Sequence, residues 1–215
     1  MSASSIARIK SMKAWVFLSV FLIIASQDLS HAQNVTVTAK APPDESISQA
    51  YIALDKDCRS LVSKHEVEDA VIACKKVADE ADKYDPNTHF ITRRAAYVFY
   101  TTSLIRAKQF RGAVFVGDKA VGVVVLGHDD AAGSSAAYGV RGQAEALAGD
   151  LASADRDLEK AETYERGGLN SPAGHELSFE YSRTLKGLLM FHAQVLTAMG
   201  KQDAASKKAA EAAKL

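Results

Sequence analysis

Small and apolar residues recur three and four positions apart through most of the chain after residue 46. That spacing gathers side chains on one face of an α-helix. Ser135–Tyr164 carries it most clearly. Tyr138, Gly142, Ala146 and Gly149 form one stripe, and Ala154, Leu158 and Ala161 form a second. Two helices joined by a tight turn at Gly149-Asp150 are predicted, with Gly149 ending the first at positive φ and Asp150 capping the second. Small residues on both stripes let the two backbones approach closely.

The same logic predicts three further helical pairs. The first runs from Ser46 to Val62, capped by Asp44 or Ser46, and returns over Glu66–Lys83. Leu54, Cys58 and Leu61 face Ala70, Cys74 and Val77. Asp85-Pro86 stops it, because the residue before a proline is steered away from helical geometry. The second begins near Asn87-Thr88. Tyr97, Tyr100, Thr101 and Leu104 face inward on its first helix, and Ala113, Gly117 and Ala120 on its second. Val121–Leu126 is rich in β-branched residues that equally suit a strand; the periodicity running into it favours helix. After a loop over His128–Ser134 comes the pair already described, then an irregular stretch over Glu165–Gly174. The last pair spans Glu176–Met199 and Gln202–Lys214, with Leu189, His192, Ala193 and Leu196 facing Ala205, Ala209 and Ala212.

Residues 135–164 resemble a tetratricopeptide repeat (TPR), with its order of aromatic, small, small, glycine, alanine, bulky apolar and alanine. Glu145 departs from the pattern, standing where that family usually has a tyrosine. Ala70, Ala113, Ala154 and Ala205 are the equivalent alanines of the four pairs, 43, 41 and 51 residues apart. A standard TPR repeats about every 34, so longer helices or inserted loops are implied. The expectation is an all-α, TPR-like helical-hairpin solenoid of about four repeats over residues 46–215. The alternative is an ordinary helical bundle with alanine-rich packing. The resemblance implies a non-catalytic scaffold or adaptor that binds another protein or a peptide segment. In that family the first helix of each pair lines a concave groove, which places Asp55, Arg59, Thr102, Arg106, Gln143 and Gln194 as candidate groove residues. Arg59 and Arg106 each offer a planar fork of donors suited to a carboxylate. The Lys/Asn set with which chaperone-binding members clamp a C-terminal carboxylate is not found at these positions.

The first 32 residues read as an export signal. Arg8, Lys10 and Lys13 precede the short apolar run Ala14–Ala25, and Ser30-His31-Ala32 offers small residues at a cleavage site. The run is short for a membrane span of about 20 residues. A periplasmic or secreted chain is expected, with a flexible tail over residues 33–45 and no membrane insertion after cleavage. In that tail Val35, Thr36, Val37, Thr38 and Ala39 alternate apolar and polar residues before Pro42-Pro43 stops any strand. The segment resembles a TonB box, which pairs as an added strand with the energy transducer TonB. This implies, as a second reading, an accessory protein of an outer-membrane uptake system. The alternative is a plain tail.

Charge and chemistry narrow the field. The whole chain holds 26 basic and 26 acidic residues, and both signs are scattered, which argues against a nucleic-acid surface. Cys58 and Cys74 lie about equally far on either side of the first turn, at His65-Glu66. A disulfide between them suits an exported chain; two small buried thiols are the alternative. No His or Cys spacing suits a metal, no glycine pattern suits a nucleotide, and no cofactor is expected. His128, Asp129 and Glu176 are the residues on which a small helical hydrolase, the competing functional class, would have to rely.

Overall fold

The computed structural model describes residues 47–125, 131–171 and 178–215. Among them the protein is all-α, with eight helices that follow one another as four hairpins. They are α1 Gln49–Ser63, α2 Val67–Ala81, α3 Phe90–Arg106, α4 Phe110–Val125, α5 Ala131–Ala148, α6 Leu151–Leu169, α7 Ser178–Ala198 and α8 Gln202–Ala212. The described residues fall into two compact units, 47–164 and 165–215, with the boundary inside α6.

In the first unit α1 to α5 each pack on the next, α6 meets α5 through Leu158 against Gly142, and α3 also lies against α1 and α5 against α3. The first helices of three successive hairpins are therefore neighbours, as in a solenoid. Ser48 caps α1, its hydroxyl accepting from the Tyr51 amide at 3.0 Å. Tyr84, from the α2–α3 connection, donates to the Ser48 hydroxyl and accepts from the Ser48 amide, both at 2.9 Å. The cap is thus Ser48; Asp44 and Ser46 lie outside the described residues. In the second unit α7 and α8 form the fourth hairpin, closed by Leu185, Leu189 and Ala212 at one end and Ala193, Leu196 and Ala205 at the other.

All four hairpins turn in the same way. One or two residues past each first helix a residue lies in the left-handed region: His65 (φ 62°), Lys108 (φ 59°), Gly149 (φ 98°) and Gly200 (φ 79°). The following amide reaches back five residues, Glu66 to Leu61, Gln109 to Leu104, Asp150 to Glu145 and Lys201 to Leu196, at 2.9–3.1 Å. This is the Schellman closure, which satisfies carbonyls a helix end otherwise leaves open. The four turn residues are 43, 41 and 51 positions apart, the same intervals as the four alanines. Those alanines are all buried, Ala70 at 1 %, Ala113 and Ala154 at 0 % and Ala205 at 4 % exposure. One register therefore runs through the four hairpins, and residues of equal register can be compared directly.

That register explains the cysteines. Cys58 and Cys74 form a disulfide, with Cα atoms 4.8 Å apart. The equivalent pairs are Thr101 with Gly117, Gly142 with Leu158, and Ala193 with Ala209. In the third hairpin a Cβ on Gly142 would sit 3.1 Å from the Leu158 side chain, so glycine there lets the helices touch.

Two boundaries and one inward-facing residue differ from the sequence reading, and the valine-rich stretch is helix as its periodicity predicts. Residues 131–134 belong to α5 rather than to a loop. Val121–Val125 is helix, with Val121, Val123 and Val124 buried; Leu126 lies outside the described residues. Residues 165–169 continue α6 through Gly167-Gly168. Gly168 is needed for packing, since a Cβ there would meet the Tyr181 ring at 2.3 Å. Ala209 is exposed, because α8 turns Ala205 and Ala212 inward instead. No helix among the described residues is long and apolar enough to cross a membrane.

The disulfide closes a loop of 16 residues. Replacing both Cys58 and Cys74 by alanine is expected to lower unfolding stability by about 3 kcal/mol through the freed unfolded chain. Denaturant unfolding of both chains checks this, and strong reductant should reproduce the loss in the native protein.

Candidate functional site

The six groove candidates separate once the register is applied. Arg59, Thr102, Gln143 and Gln194 occupy one equivalent position on α1, α3, α5 and α7, and all four are half-buried. The first three stand on neighbouring helices of one unit. Gln194 belongs to the other unit, and its Oε1 is buried without a hydrogen-bond partner. Thr102 donates its hydroxyl to the Val98 carbonyl at 2.8 Å, a local bond that leaves the oxygen able to accept.

Arg59 is held from two sides. Its Nε donates to Asp55 Oδ2 at 2.7 Å, one turn earlier on α1. Its guanidinium lies over the Phe99 ring of α3, 4.5 Å from the centroid. A cation on an aromatic face is attracted by the ring quadrupole. Nε makes its hydrogen bond within the protein, and the side chain stays 30 % exposed. Asp55 Oδ1 is buried with no partner of its own. The pair thus forms a fixed mount from which the two terminal nitrogens of Arg59 can meet a planar acceptor.

Arg106 is the correction to this set. It is only 8 % exposed, and its Nη1 donates to the carbonyl of Val62 at the end of α1. Burial holds its guanidinium below the usual arginine range. It fastens the second hairpin to the C-terminus of α1, where a cation and a donor are both favourable, and it is withdrawn from any groove.

A second polar constellation joins α4, α5 and α6 at Arg141. Arg141 donates from Nε and Nη2 to the two oxygens of Asp157, at 2.5 and 2.9 Å, and from Nη1 to Asp118 Oδ1 at 2.9 Å. Glu145, one turn along α5, approaches Nε only to 3.9 Å. Gly117 makes room, since a Cβ there would lie 3.0 Å from Arg141 Cβ and Cγ. The bidentate Asp157 contact raises the Arg141 pKa further, so the guanidinium is permanently charged. Tyr138 and Tyr164 stack beside it, with centroids 5.8 Å apart. Sequence reasoning found only Glu145 here, as a misfit in the repeat; nothing along the chain announces that residues 118, 141 and 157 meet.

Among the described residues no group of three or more His, Cys, Asp or Glu side chains could hold a metal. His192 is buried at 2 %, and His89 packs its ring 5.1 Å from that of Tyr84. The tail segment Val35–Ala39 and the hydrolase candidates His128, Asp129 and Glu176 lie outside the described residues. No protein-family model, no curated protein and no solved structure matches the chain.

Because Arg106 closes a helix end, Arg106→Met should behave as a packing variant. It is expected to cost about 1.5–3 kcal/mol of stability, the range for losing a hydrogen bond to a charged group, while the Val62 carbonyl keeps the His65 amide at 3.3 Å. Any ligand bound through Arg59 should keep its affinity, which titration of the folded variant checks.

Proposed function

We propose that this chain is an exported, non-catalytic scaffold of the TPR-like kind, holding a peptide or protein segment against the face shared by α1, α3 and α5. The observation that carries the reading is the row Arg59, Thr102 and Gln143. These residues have one register on three neighbouring helices, are half-buried, and supply a charged donor, a hydroxyl and an amide in turn. An extended segment crossing the three helices meets one polar group at each, while the apolar sides of α1 and α3, including Phe99, flank the first. Helical-hairpin stacks bind ligands on such faces because equivalent positions repeat at regular steps.

Two further observations support the exported half of the reading. The Cys58–Cys74 disulfide persists where the surroundings are oxidising. The positive leader followed by the Ala14–Ala25 apolar run has the composition of a secretory signal. In this reading the tail with Val35–Ala39 is a tether, or a strand that pairs with a TonB-like partner.

A photo-reactive phenylalanine placed in turn at Thr102 and Gln143 tests the face, with Ile72 and Phe115 on α2 and α4 as control sites. Ile72 and Phe115 are 56 % and 66 % exposed and belong to the second helices of their hairpins. The expected result in the exporting cell is one shared adduct from residues 102 and 143 and none of it from the controls. Arg59→Ala should then weaken binding of that partner about tenfold or more, as loss of a charge-assisted bond does. Adducts identical at all four sites, or none anywhere, would sink the scaffold reading. If deleting residues 34–39 alone abolishes the adduct, the tail is the contact and the α1–α3–α5 face is not.

A further inference from the structure

Glu145 occupies a position that the other three hairpins give to leucine. Leu61, Leu104 and Leu196 share its register, with Leu104 and Leu196 at 3 % and 4 % exposure and Leu61 half-buried. The backbone has not shifted to let the glutamate out. Its carbonyl receives the same turn-closing bond, from Asp150 N at 2.9 Å, that the three leucine carbonyls receive. Glu145 is accordingly 9 % exposed, and its Oε2 is buried without a hydrogen-bond partner.

The neighbouring charges compensate an anion there only in part. Arg141 is the cation of the cluster, and its hydrogen bonds go to Asp157 and Asp118, leaving Glu145 Oε1 at 3.9 Å. Asp157, from α6, is itself at 4 % exposure, in a register where the first two hairpins have Ala73 and Val116. The charged groups acting on Glu145 are thus Asp118 on α4, Arg141 on its own helix, Asp150 in the turn and Asp157 on α6. Three of these four are acidic. Asp118 and Asp150 are exposed, so the buried site sets one guanidinium against two carboxylates, Asp157 and Glu145, and is negative unless a proton is taken up.

We propose that Glu145 makes the third hairpin a proton-gated element, in which a protonated carboxyl packs as leucine does elsewhere and its loss puts an anion in the α5–α6 core and loosens that hairpin. The electrostatics agree in direction. Burial first, and Asp157 second, push the Glu145 pKa from 4.5 up to about 7, against the lowering effect of Arg141. An acid whose folded pKa lies above its unfolded value binds more protons when folded between the two. Stability from this group is therefore fully present below about 4.5, falls as pH rises through the window, and is at its lowest above 7.

The test compares the full chain with Glu145→Gln, which keeps the shape and removes the titration. Thermal and denaturant unfolding from pH 5 to pH 8 should show little difference at pH 5. At pH 8 the variant should be favoured by roughly 30- to 300-fold in its unfolding equilibrium, the range a shift of this size implies. Amide exchange in the wild type should accelerate over the same window within α5 and α6 but not within the disulfide-linked α1–α2 hairpin. If Glu145→Gln fails to fold, Glu145→Leu supplies the residue that the register uses elsewhere, and the carboxyl carbon of Glu145 is titrated by NMR in the wild type. A midpoint near 4.5, or a stability difference that does not change with pH, overturns the proposal.

Discussion

Each hairpin depends on a close crossing of two helices fixed by its turn. The turn sets how far the second helix starts from the first, because a left-handed residue and a five-residue backbone bond leave no freedom to slide. With the offset fixed, equivalent positions on the two helices meet in the first and third hairpins, and only small or matched side chains fit there. The Cys58–Cys74 bond is the covalent version of that contact, with Cα atoms 4.8 Å apart. Gly142 against Leu158 is the packed version, in which one partner gives up its side chain so that the other can fill the space. The recurrence of buried alanine at 70, 113, 154 and 205 follows from the same constraint.

Much of this was legible because a helix records its buried face at fixed intervals. The alanines, the paired cysteines, the cap at Asp150 and the turns at Gly149 and Gly200 all follow from residue type and spacing. The left-handed turn at Lys108 was not legible, because no glycine marks it, and the backbone accepts a cost that only tertiary packing offsets. Gly167-Gly168 misled in the opposite direction. Two glycines suggest a break, yet α6 runs through them so that the Tyr181 ring can lie against its backbone. A glycine required by an approaching side chain has the same letter as one required by a turn.

The charged residues were the least legible, since their meaning depends on which helices meet. Arg59, Arg106 and Arg141 look alike in the sequence, each on the first helix of a hairpin. In the structure Arg106 is buried on the Val62 carbonyl, and Arg141 is bound to Asp118 and Asp157. Arg59 is bonded through Nε to Asp55 on its own helix, and its side chain stays 30 % exposed. Fork geometry is therefore a weak guide to ligand binding until the donors already committed to packing have been counted.

The third hairpin shows what the common register costs when it is broken. A buried ion cluster is seldom more stabilising than apolar packing of the same volume; the other hairpins use leucine where this one has Glu145, and the first two use alanine and valine where it has Asp157. Asp157 is well compensated, both oxygens being held by Arg141. Glu145 is not, and the difference between the two is geometric rather than chemical. Arg141 projects from α5 toward α4 and α6, so it reaches the acids across the interfaces more directly than the acid on its own helix. A helical repeat that meets a leucine position with a carboxylate, and spends the nearby cation on other partners, concentrates its instability at one turn. Of the four hairpins, this is the one whose packing must respond most to its surroundings.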